Sequence, residues 1–443
     1  MRYLIQNAHL INEGQARTVD VRIRDGRILT IAAVLAHDGV EQLIDARGLH
    51  LLPGMIDDQV HFREPGLETK GTIFSESRAA VAGGITSYME MPNTQPPTLN
   101  AAALEAKYAR ARETSLANYA FYMGASNDNL EDIKRLDPRS ACAVKVFIGA
   151  STDNMRVDNE SVLEGIFAHS PTLIATHCEH MPTIMANLSR ATARFGDDIP
   201  VALHAQIRDA QACFASSSIA VQLARRHSAD LHVLHLTTAK ELALFDSAPL
   251  AGKKITAEVC VHHLWFEASR YTDLGALIKC NPAIKSVEDR QALRAALLDD
   301  RLDIIATGHA PHLLAEKRLP YAQSPSGMPL VQHALPALLE LVHQGVLDLP
   351  TLVRKCAHAP AERFQVALRG YVREGYFADL VLVDLYRPHI VRRDEVRYRC
   401  GWSPFEGETF RAQITHTFVS GHLAYCRSEI DDSVLGRRLE FSR

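Results

Sequence analysis

Eight short apolar or β-branched segments, alternating with stretches of helical periodicity, constrain the fold of this 443-residue chain more than any other feature. Parallel strands that are buried on both faces read as such segments, and the stretches between them supply the crossover helices. The segments cover residues 51–62, 85–92, 118–126, 143–151, 172–179, 231–237, 254–263 and 303–312. Eight β/α units close a (β/α)8 barrel, so the sequence predicts an α/β protein with a TIM-like barrel.

Both ends of the chain read differently, as short strands joined by turns. Residues 3–45 carry a hairpin signal at Asp25-Gly26, and the segments FADLVLVDL and ITHTFVSGHLAYCR repeat the strand pattern beyond residue 366. Neither end alone has enough strands to bury a sheet face. The sequence therefore predicts one small β-sandwich domain made of residues 1–52 and 366–443, beside a barrel of residues 53–365.

Composition excludes several classes of protein. Lys and Arg number 48 and Asp and Glu 52, which gives a net charge of −4, and no basic run follows a phosphate backbone. We therefore expect no nucleic-acid partner. No segment reaches the length of about 20 apolar residues that a membrane helix needs, and the N-terminus turns polar too early for a signal peptide. Eight scattered cysteines without a CxxC pair favour reduced thiols in a cytoplasmic protein.

Histidines stand at the ends of the predicted strands, where barrel enzymes hold their reactive groups. They lie in the last part of five of the eight segments, at positions His61, His177, His235, His262, His263, His309 and His312. A single histidine at such a place is more often a hydrogen-bonded structural residue than a ligand. Several neutral imidazoles directed at one cavity are what a divalent ion such as Zn²⁺ requires, so the pattern favours a metal site.

Lys145 lies within the fourth predicted strand and points to the same chemistry. Burial lowers the pKa of a lysine and favours its neutral amine, which can add carbon dioxide and become an anionic carbamate ligand. The alternative is a lysine whose charged end extends out of the barrel mouth to water.

A series of motifs resembles the dihydroorotase family of the amidohydrolase superfamily. The motifs occur in order over residues 50–390 and read PGMIDDQVHFREPG, MPNTQPPT, VKVFIGAS, ATHCEH, LHVLHLTTAKEL, AEVCVHHLWF, CNPAIK, IATGHAPH and PSGMPLVQHALP. The resemblance implies reversible hydrolysis of the cyclic amide of dihydroorotate to N-carbamoyl-aspartate, a small-molecule reaction of pyrimidine biosynthesis.

The resemblance also implies roles for matched residues. His61 is similar to the second histidine of the family's His-x-His metal motif, and Lys145 to the lysine that is carboxylated to bridge two zinc ions. His177 and His235 match the zinc ligands on strands five and six. The family residues that hold the substrate carboxylate are matched by Arg63, Asn93 and His312, and a residue that contacts the substrate ring by Asn281.

Two positions depart from the family pattern. Gln59 replaces a metal-binding histidine, and Gly308 replaces an aspartate that binds metal and carries the proton, so the catalytic residue is unknown. Both losses fall on one of the two expected metal positions, whereas the other, made by Lys145, His177 and His235, is complete. We therefore expect about one zinc per chain and at most two.

Three readings of function remain open at this point. Dihydroorotase is the first, because the residues that clamp the carboxylate are all present. The second is an impaired dihydroorotase-like chain that acts as a structural partner, for example of aspartate carbamoyltransferase. The third is a hydantoinase or allantoinase. A homodimer is also open, since the apolar helix expected within residues 328–345 suits either the core or an interface.

Overall fold

The computed structural model describes residues 1–149 and 155–443. The N-terminal segment forms strands of one sheet, in which β1 pairs with β2, β4 and β5, and β2 pairs with β3. Asp25 and Gly26, which connect β2 to β3, both have positive φ, as the predicted hairpin requires. The strands are β1 (Arg2–Asn12), β2 (Gln15–Arg24), β3 (Arg27–Ala32), β4 (Gln42–Asp45) and β5 (His50–Pro53).

The eight predicted segments form the parallel strands of a barrel. The third segment is interrupted and gives both β8 and β9. The ring closes where Val60 bridges His309 in parallel and the His61 amide donates to the His309 carbonyl at 2.7 Å. Residues 150 and 151, at the end of the fourth segment, lie outside the described residues. The strands are β6 (Met55–Val60), β7 (Ile85–Glu90), β8 (Asn118–Phe121), β9 (Met123–Gly124), β10 (Val144–Gly149), β11 (Ile174–Glu179), β12 (Leu231–Val233), β13 (Ile255–Cys260) and β14 (Ile304–Ala306).

Helices between these strands cover the barrel. In the helix expected within residues 328–345, Leu335, Leu338 and Leu339 are buried in the core, which favours the core interpretation over an exposed interface. The helices are α1 (Ile73–Ala82), α2 (Ala101–Thr114), α3 (Leu130–Lys134), α4 (Glu160–His169), α5 (Met181–Phe195), α6 (His204–Ile207), α7 (Ala210–His227), α8 (Val261–Trp265), α9 (Tyr271–Leu274), α10 (Val287–Leu298), α11 (Leu314–Lys317), α12 (Ala334–His343), α13 (Leu349–Val353) and α14 (Ala359–Arg363).

The C-terminal strands complete the sheet that the N-terminal segment begins. Strand β15 pairs antiparallel with β5, and β18, β19 and β20 follow it outward. The sheet thus combines strands from both ends of the chain, while the domain limits at 52 and 366 stay predictions. The strands are β15 (Leu380–Asp384), β16 (His389–Ile390), β17 (Thr409–Phe410), β18 (Gln413–Val419), β19 (His422–Cys426) and β20 (Glu429–Ile430).

Residues 436–443 return from this sheet to the barrel. The Leu439 amide donates to the Tyr119 carbonyl at 2.9 Å, which sets this segment beside the first residues of β8. Leu439 and Phe441 are buried in an apolar cluster that also contains Tyr122 and Phe364. This C-terminal segment therefore covers the end of the barrel at which the strands begin.

Two further observations bear on the exclusions made from composition. Each of the eight cysteines is a free thiol, and all but Cys426 are buried. Within the described residues, no helix combines the length and apolar character needed to cross a bilayer.

Candidate active site

The carboxyl ends of the barrel strands open into a cavity of about 420 Å³. All eight residues predicted for the metal and substrate sites line it, together with the two positions that depart from the family pattern. They are Gln59, His61, Arg63, Asn93, Lys145, His177, His235, Asn281, Gly308 and His312. The structure thus brings together residues from seven separate strand ends or loops, as the barrel topology predicts.

Two histidines meet in the cavity at the ends of β11 and β12. His177 Nδ1 is 3.0 Å from His235 Nε2, and both rings are buried. Burial lowers the pKa of each imidazole, so both are neutral, which is the form that binds metal. Two lone-pair nitrogens at this separation fit adjacent positions on one tetrahedral ion.

Glu179 fixes the orientation of His177 and was missed by the sequence analysis. His177 Nε2 donates to Glu179 Oε2 at 3.0 Å, which leaves Nδ1 free for a metal. Arg208 forms an ion pair with the same carboxylate. Although burial opposes ionisation, the Arg208 charge and the His177 hydrogen bond hold the pKa of Glu179 at about 2. Glu179 lies two positions after His177 in β11, so the two side chains project from one face of the strand, and this spacing could have identified Glu179. Arg208 lies in the connection between α6 and α7, where no sequence pattern marks it.

A second carboxylate supports His235 from within the barrel. Glu258 Oε1 accepts from the His235 backbone amide at 3.1 Å, and Glu258 lies beside His232 and Asp58. Burial opposes a charge on His232, but hydrogen bonds to Asp58 and Glu258 raise its pKa to about 9. A protonated His232 therefore compensates the buried acidic groups beneath the cavity.

Lys145 points into the cavity from β10 and is only 1% exposed, so its amine does not extend to bulk water. Its Nζ lies 4.6 Å from the centre of the Phe147 ring. Burial lowers the pKa of Lys145 to about 7, which makes the neutral amine abundant at physiological pH. A carbamate on this amine would add an oxygen donor to the nitrogens of His177 and His235, so the donor set fits a divalent ion.

Arg63 and His312 form a positively charged pair at the opposite wall. Arg63 Nη2 is 3.0 Å from His312 Nε2, and Arg63 Nε donates to the Pro311 carbonyl at 3.1 Å. Lys70 Nζ lies 3.1 Å from His312 Nδ1. A neutral imidazole accepts only one of these two hydrogen bonds. Lys70 Nζ also pairs with Glu316 Oε1 at 3.0 Å, so the guanidinium of Arg63 is the cation that retains donors for an anion. Lys70 was missed by the sequence analysis, because it lies in a loop without a motif.

Two asparagines complete the predicted substrate set. His61 Nδ1 donates to Asn93 Oδ1 at 2.8 Å, which leaves His61 Nε2 free for a metal and the Asn93 amide group free to donate. Asn281 Oδ1 is buried and has no hydrogen-bond partner among the described residues. Both amides therefore hold unused polar groups at the cavity wall, as substrate-binding residues require.

The side of the cavity at Gln59 and Gly308 is arranged differently. The Cys260 thiol donates to Gln59 Oε1, with 3.1 Å between the two atoms. Gly308 has φ +65°, and a Cβ there would lie 2.8 Å from Cys260 Sγ and 3.1 Å from His262 Cε1. Cysteine and imidazole thus occupy the space beside residue 308. Cys260, the last residue of β13, was not singled out from the sequence.

His309 does not line this cavity. Its Nε2 donates to Glu76 Oε2 at 2.8 Å, and its Nδ1 accepts from the Leu330 amide at 2.9 Å. Both ring nitrogens are therefore engaged, and His309 has a structural role in joining β14 to its neighbours.

The family of this chain follows from its similarity to known protein families. The model of the amidohydrolase family matches residues 50–424. The chain belongs to the amidohydrolase family. This amidohydrolase is 34% identical over 402 residues to the dihydroorotase of Halobacterium salinarum, covering 90% of this chain and 91% of that protein. It is 32% identical over 419 residues to the dihydroorotase of Methanothermobacter thermautotrophicus, covering 93% and 92%.

Solved structures give the same fold. The amidohydrolase is similar to L-hydantoinase (dihydropyrimidinase) from Arthrobacter aurescens, with a TM-score of 0.93, 25% identity and 99% of each chain covered. Dihydropyrimidinase from Brevibacillus agri gives a TM-score of 0.90 at 22% identity over 100% of each chain. The predicted barrel with an attached β domain, and the resemblance to dihydroorotases, are confirmed.

Proposed function

We propose that this amidohydrolase catalyses the reversible hydrolysis of the cyclic amide of dihydroorotate to N-carbamoyl-aspartate. The observation that carries the proposal is that one cavity holds both a metal-competent group, Lys145 with His177 and His235, and a carboxylate-binding pair, Arg63 with His312. Dihydroorotate carries a carboxylate beside its cyclic amide. The carboxylate matches the Arg63–His312 pair, and the amide matches the metal-competent group. The similar archaeal proteins bear the name of this activity.

We infer that Lys145, as its carbamate, holds one zinc ion together with His177 and His235. Such an ion supplies Lewis acidity for a carbonyl oxygen and lowers the pKa of water. Glu179 keeps the ring of His177 oriented for this role. Similar orienting carboxylates raise metal affinity in other zinc sites.

Arg63 and His312 would hold the substrate carboxylate, with Asn93 and Asn281 donating or accepting at the ring. A guanidinium binds a carboxylate through two parallel hydrogen bonds, which fixes orientation as well as position. Burial lowers the pKa of Arg63 to about 10, so it stays charged at neutral pH. Arg63 and His312 would thereby hold the scissile amide at a fixed distance from the Lys145–His177–His235 group.

In the reaction, water oxygen bonds to the amide carbon, the carbon–nitrogen bond breaks and the leaving nitrogen takes up a proton. Position 308 has no carboxylate to transfer that proton. We expect slow turnover, because loss of a general acid–base residue lowers rates by about 10²- to 10⁴-fold.

Two alternatives rest on particular observations. The substitutions at Gln59 and Gly308 favour a chain that binds substrate or a partner such as aspartate carbamoyltransferase without turnover. The structural likeness to hydantoinases favours a neutral ring substrate. The Arg63–His312 pair argues for the acidic ring. A homodimer, the carbamoyltransferase association and a cytoplasmic location stay predictions.

The test uses the purified full chain, incubated with zinc and bicarbonate. Hydrolysis of dihydroorotate is measured beside that of hydantoin, which lacks the carboxylate, and zinc is determined by elemental analysis. Preference for dihydroorotate with zinc bound supports the proposal. Preference for hydantoin supports the third reading, and binding of a carboxylate analogue without turnover of either substrate supports the impaired protein.

A further inference from the structure

Three metal-competent side chains stand together outside the Lys145–His177–His235 group. Cys260, His262 and His263 each offer a ligand atom, and these atoms all lie within 4.8 Å of one another. The three residues occupy the junction of β13 with α8 and line the same cavity. They therefore form a separate cluster that opens toward the substrate space.

The histidines of this cluster have nitrogens without a use in the fold. His262 is 4% exposed and His263 is 3% exposed, yet the Nδ1 of each has no hydrogen-bond partner among the described residues. His263 Nε2 donates to the Pro282 carbonyl at 3.1 Å, so its Nδ1 carries the lone pair. A buried acceptor without a donor is unfavourable, and a bound cation would satisfy it.

Gly308 is what leaves room for this cluster. A Cβ at 308 would come within 2.8 Å of Cys260 Sγ and 3.1 Å of His262 Cε1. A carboxylate side chain at 308 and the present positions of the thiol and imidazole therefore exclude one another. The absence of a side chain at position 308 is therefore what allows the thiol and the imidazole to take their present positions.

We propose that Cys260, His262 and His263 form a second, thiolate-containing site for a thiophilic divalent ion of the Zn²⁺ class. Three protein ligands of sulfur and nitrogen suit such an ion and leave one position open to the cavity. The ion displaces the thiol proton, which passes to water, and Cys260 gives up its hydrogen bond to Gln59. Ligand atoms on a tetrahedral ion lie roughly 3.5 Å apart, so small side-chain rotations close the set.

The test is Co²⁺ binding to the full chain, followed by absorption spectroscopy and elemental analysis. A thiolate ligand gives Co²⁺ an intense near-ultraviolet charge-transfer band, which oxygen and imidazole ligands do not produce. We expect this band in the wild type and its loss in Cys260→Ser, with one fewer Co²⁺ per chain. Absence of the band in the Co²⁺-saturated wild type, or its survival in Cys260→Ser, overturns the proposal.

Two matched controls separate this site from its surroundings. Cys280 Sγ lies 3.8 Å from His263 Nε2, so Cys280→Ser tests the other nearby thiol and should keep the band. His177→Ala removes the zinc site of the proposed function and should also keep the band, so failure of one site is distinguishable from failure of the other. If Cys260→Ser does not fold, His262→Gln serves instead, with an expected loss of at least tenfold in Co²⁺ affinity. Unchanged affinity in a folded His262→Gln contradicts the site.

Discussion

The two sides of the cavity differ in how their polar side chains are supported. At His177 and His235, the Glu179 carboxylate holds the ring of His177, whereas Glu258 accepts from the backbone amide of His235. The ring Nδ1 of His235 has no hydrogen-bond partner among the described residues. At Cys260 and His262, the thiol donates to a neutral amide oxygen, and His262 Nδ1 has no partner within residues 1–149 and 155–443. A carboxylate therefore orients the His177 ring at the end of β11, while the cluster that follows β13, the strand paired with β12, has no such support among the described residues.

Removal of the carboxylate that orients His177 should have the largest effect on zinc binding by the Lys145–His177–His235 group. Glu179→Gln removes the charge that Arg208 and His177 share, and we expect the zinc affinity of this group to fall about 10- to 100-fold. Competition with a chromophoric chelator measures the change. Arg208 is partly exposed, so Arg208→Gln should weaken zinc binding less than Glu179→Gln does. Equal zinc affinity in wild type and Glu179→Gln would remove the carboxylate from the description of this group.

Arg63→Met should separate recognition of the carboxylate from metal binding. We expect a carboxylate-bearing analogue of the substrate to bind roughly 30-fold more weakly, or about 2 kcal/mol, because a buried charged partner is lost. Zinc content should not change, in contrast to Glu179→Gln. Calorimetry gives the affinity, and elemental analysis gives the zinc. Lys70→Met is the matched control, with a smaller loss expected, because Lys70 reaches the site through His312. Unchanged affinity of Arg63→Met for the analogue would refute the clamp.

A side chain at position 308 should displace Cys260 and His262. Gly308→Ala forces a Cβ against Cys260 Sγ in a backbone of φ +65°, so we expect a loss of roughly 1–2 kcal/mol in unfolding free energy. Cys260→Ala should recover part of that loss in the double variant, which denaturant titration of all four proteins measures. Strictly additive effects would show that the two residues do not compete for space.

The same crowding changes what Gly308→Asp can achieve. The sequence alone predicts that restoring the carboxylate raises kcat, above all together with Gln59→His. The structure adds that Cys260 and His262 already fill the neighbouring volume. We therefore expect a gain in hydrolysis only when Gly308→Asp is combined with Cys260→Ala.

The sequence predicted the barrel well, because buried parallel strands leave apolar runs that local patterns reveal. It did not separate the first run into two strands. Residues 51–62 contain the end of β5 in the terminal sheet and all of β6 in the barrel, divided at Gly54. A Cβ at Gly54 would lie 2.2 Å from the Thr86 side chain, and such a close approach is a tertiary fact that no local pattern encodes.

The candidate site was predictable wherever a strand end delivers the residue. His61, His177 and His235 stand at or just beyond strand ends, and Lys145 lies within β10. Alternation along β11 could also have identified Glu179, which the sequence analysis missed. The contact of Cys260 with Gln59 joins residues 201 positions apart, and Lys70 and Arg208 come from connections. Their positions depend on packing between distant segments, so sequence reasoning had no means of finding them.

The C-terminal segment that covers the barrel has a consequence for synthesis of the chain. Its backbone meets β8 through Arg437 and Asn118, which are 319 positions apart. At about 5–20 residues per second, the ribosome needs roughly 15–65 s to produce this segment after β8 has been made. Throughout that interval the apolar floor formed by Tyr122 and its neighbours lacks the cover of Leu439 and Phe441. The nascent barrel thus exposes apolar surface of the kind that chaperones bind until translation has passed residue 441.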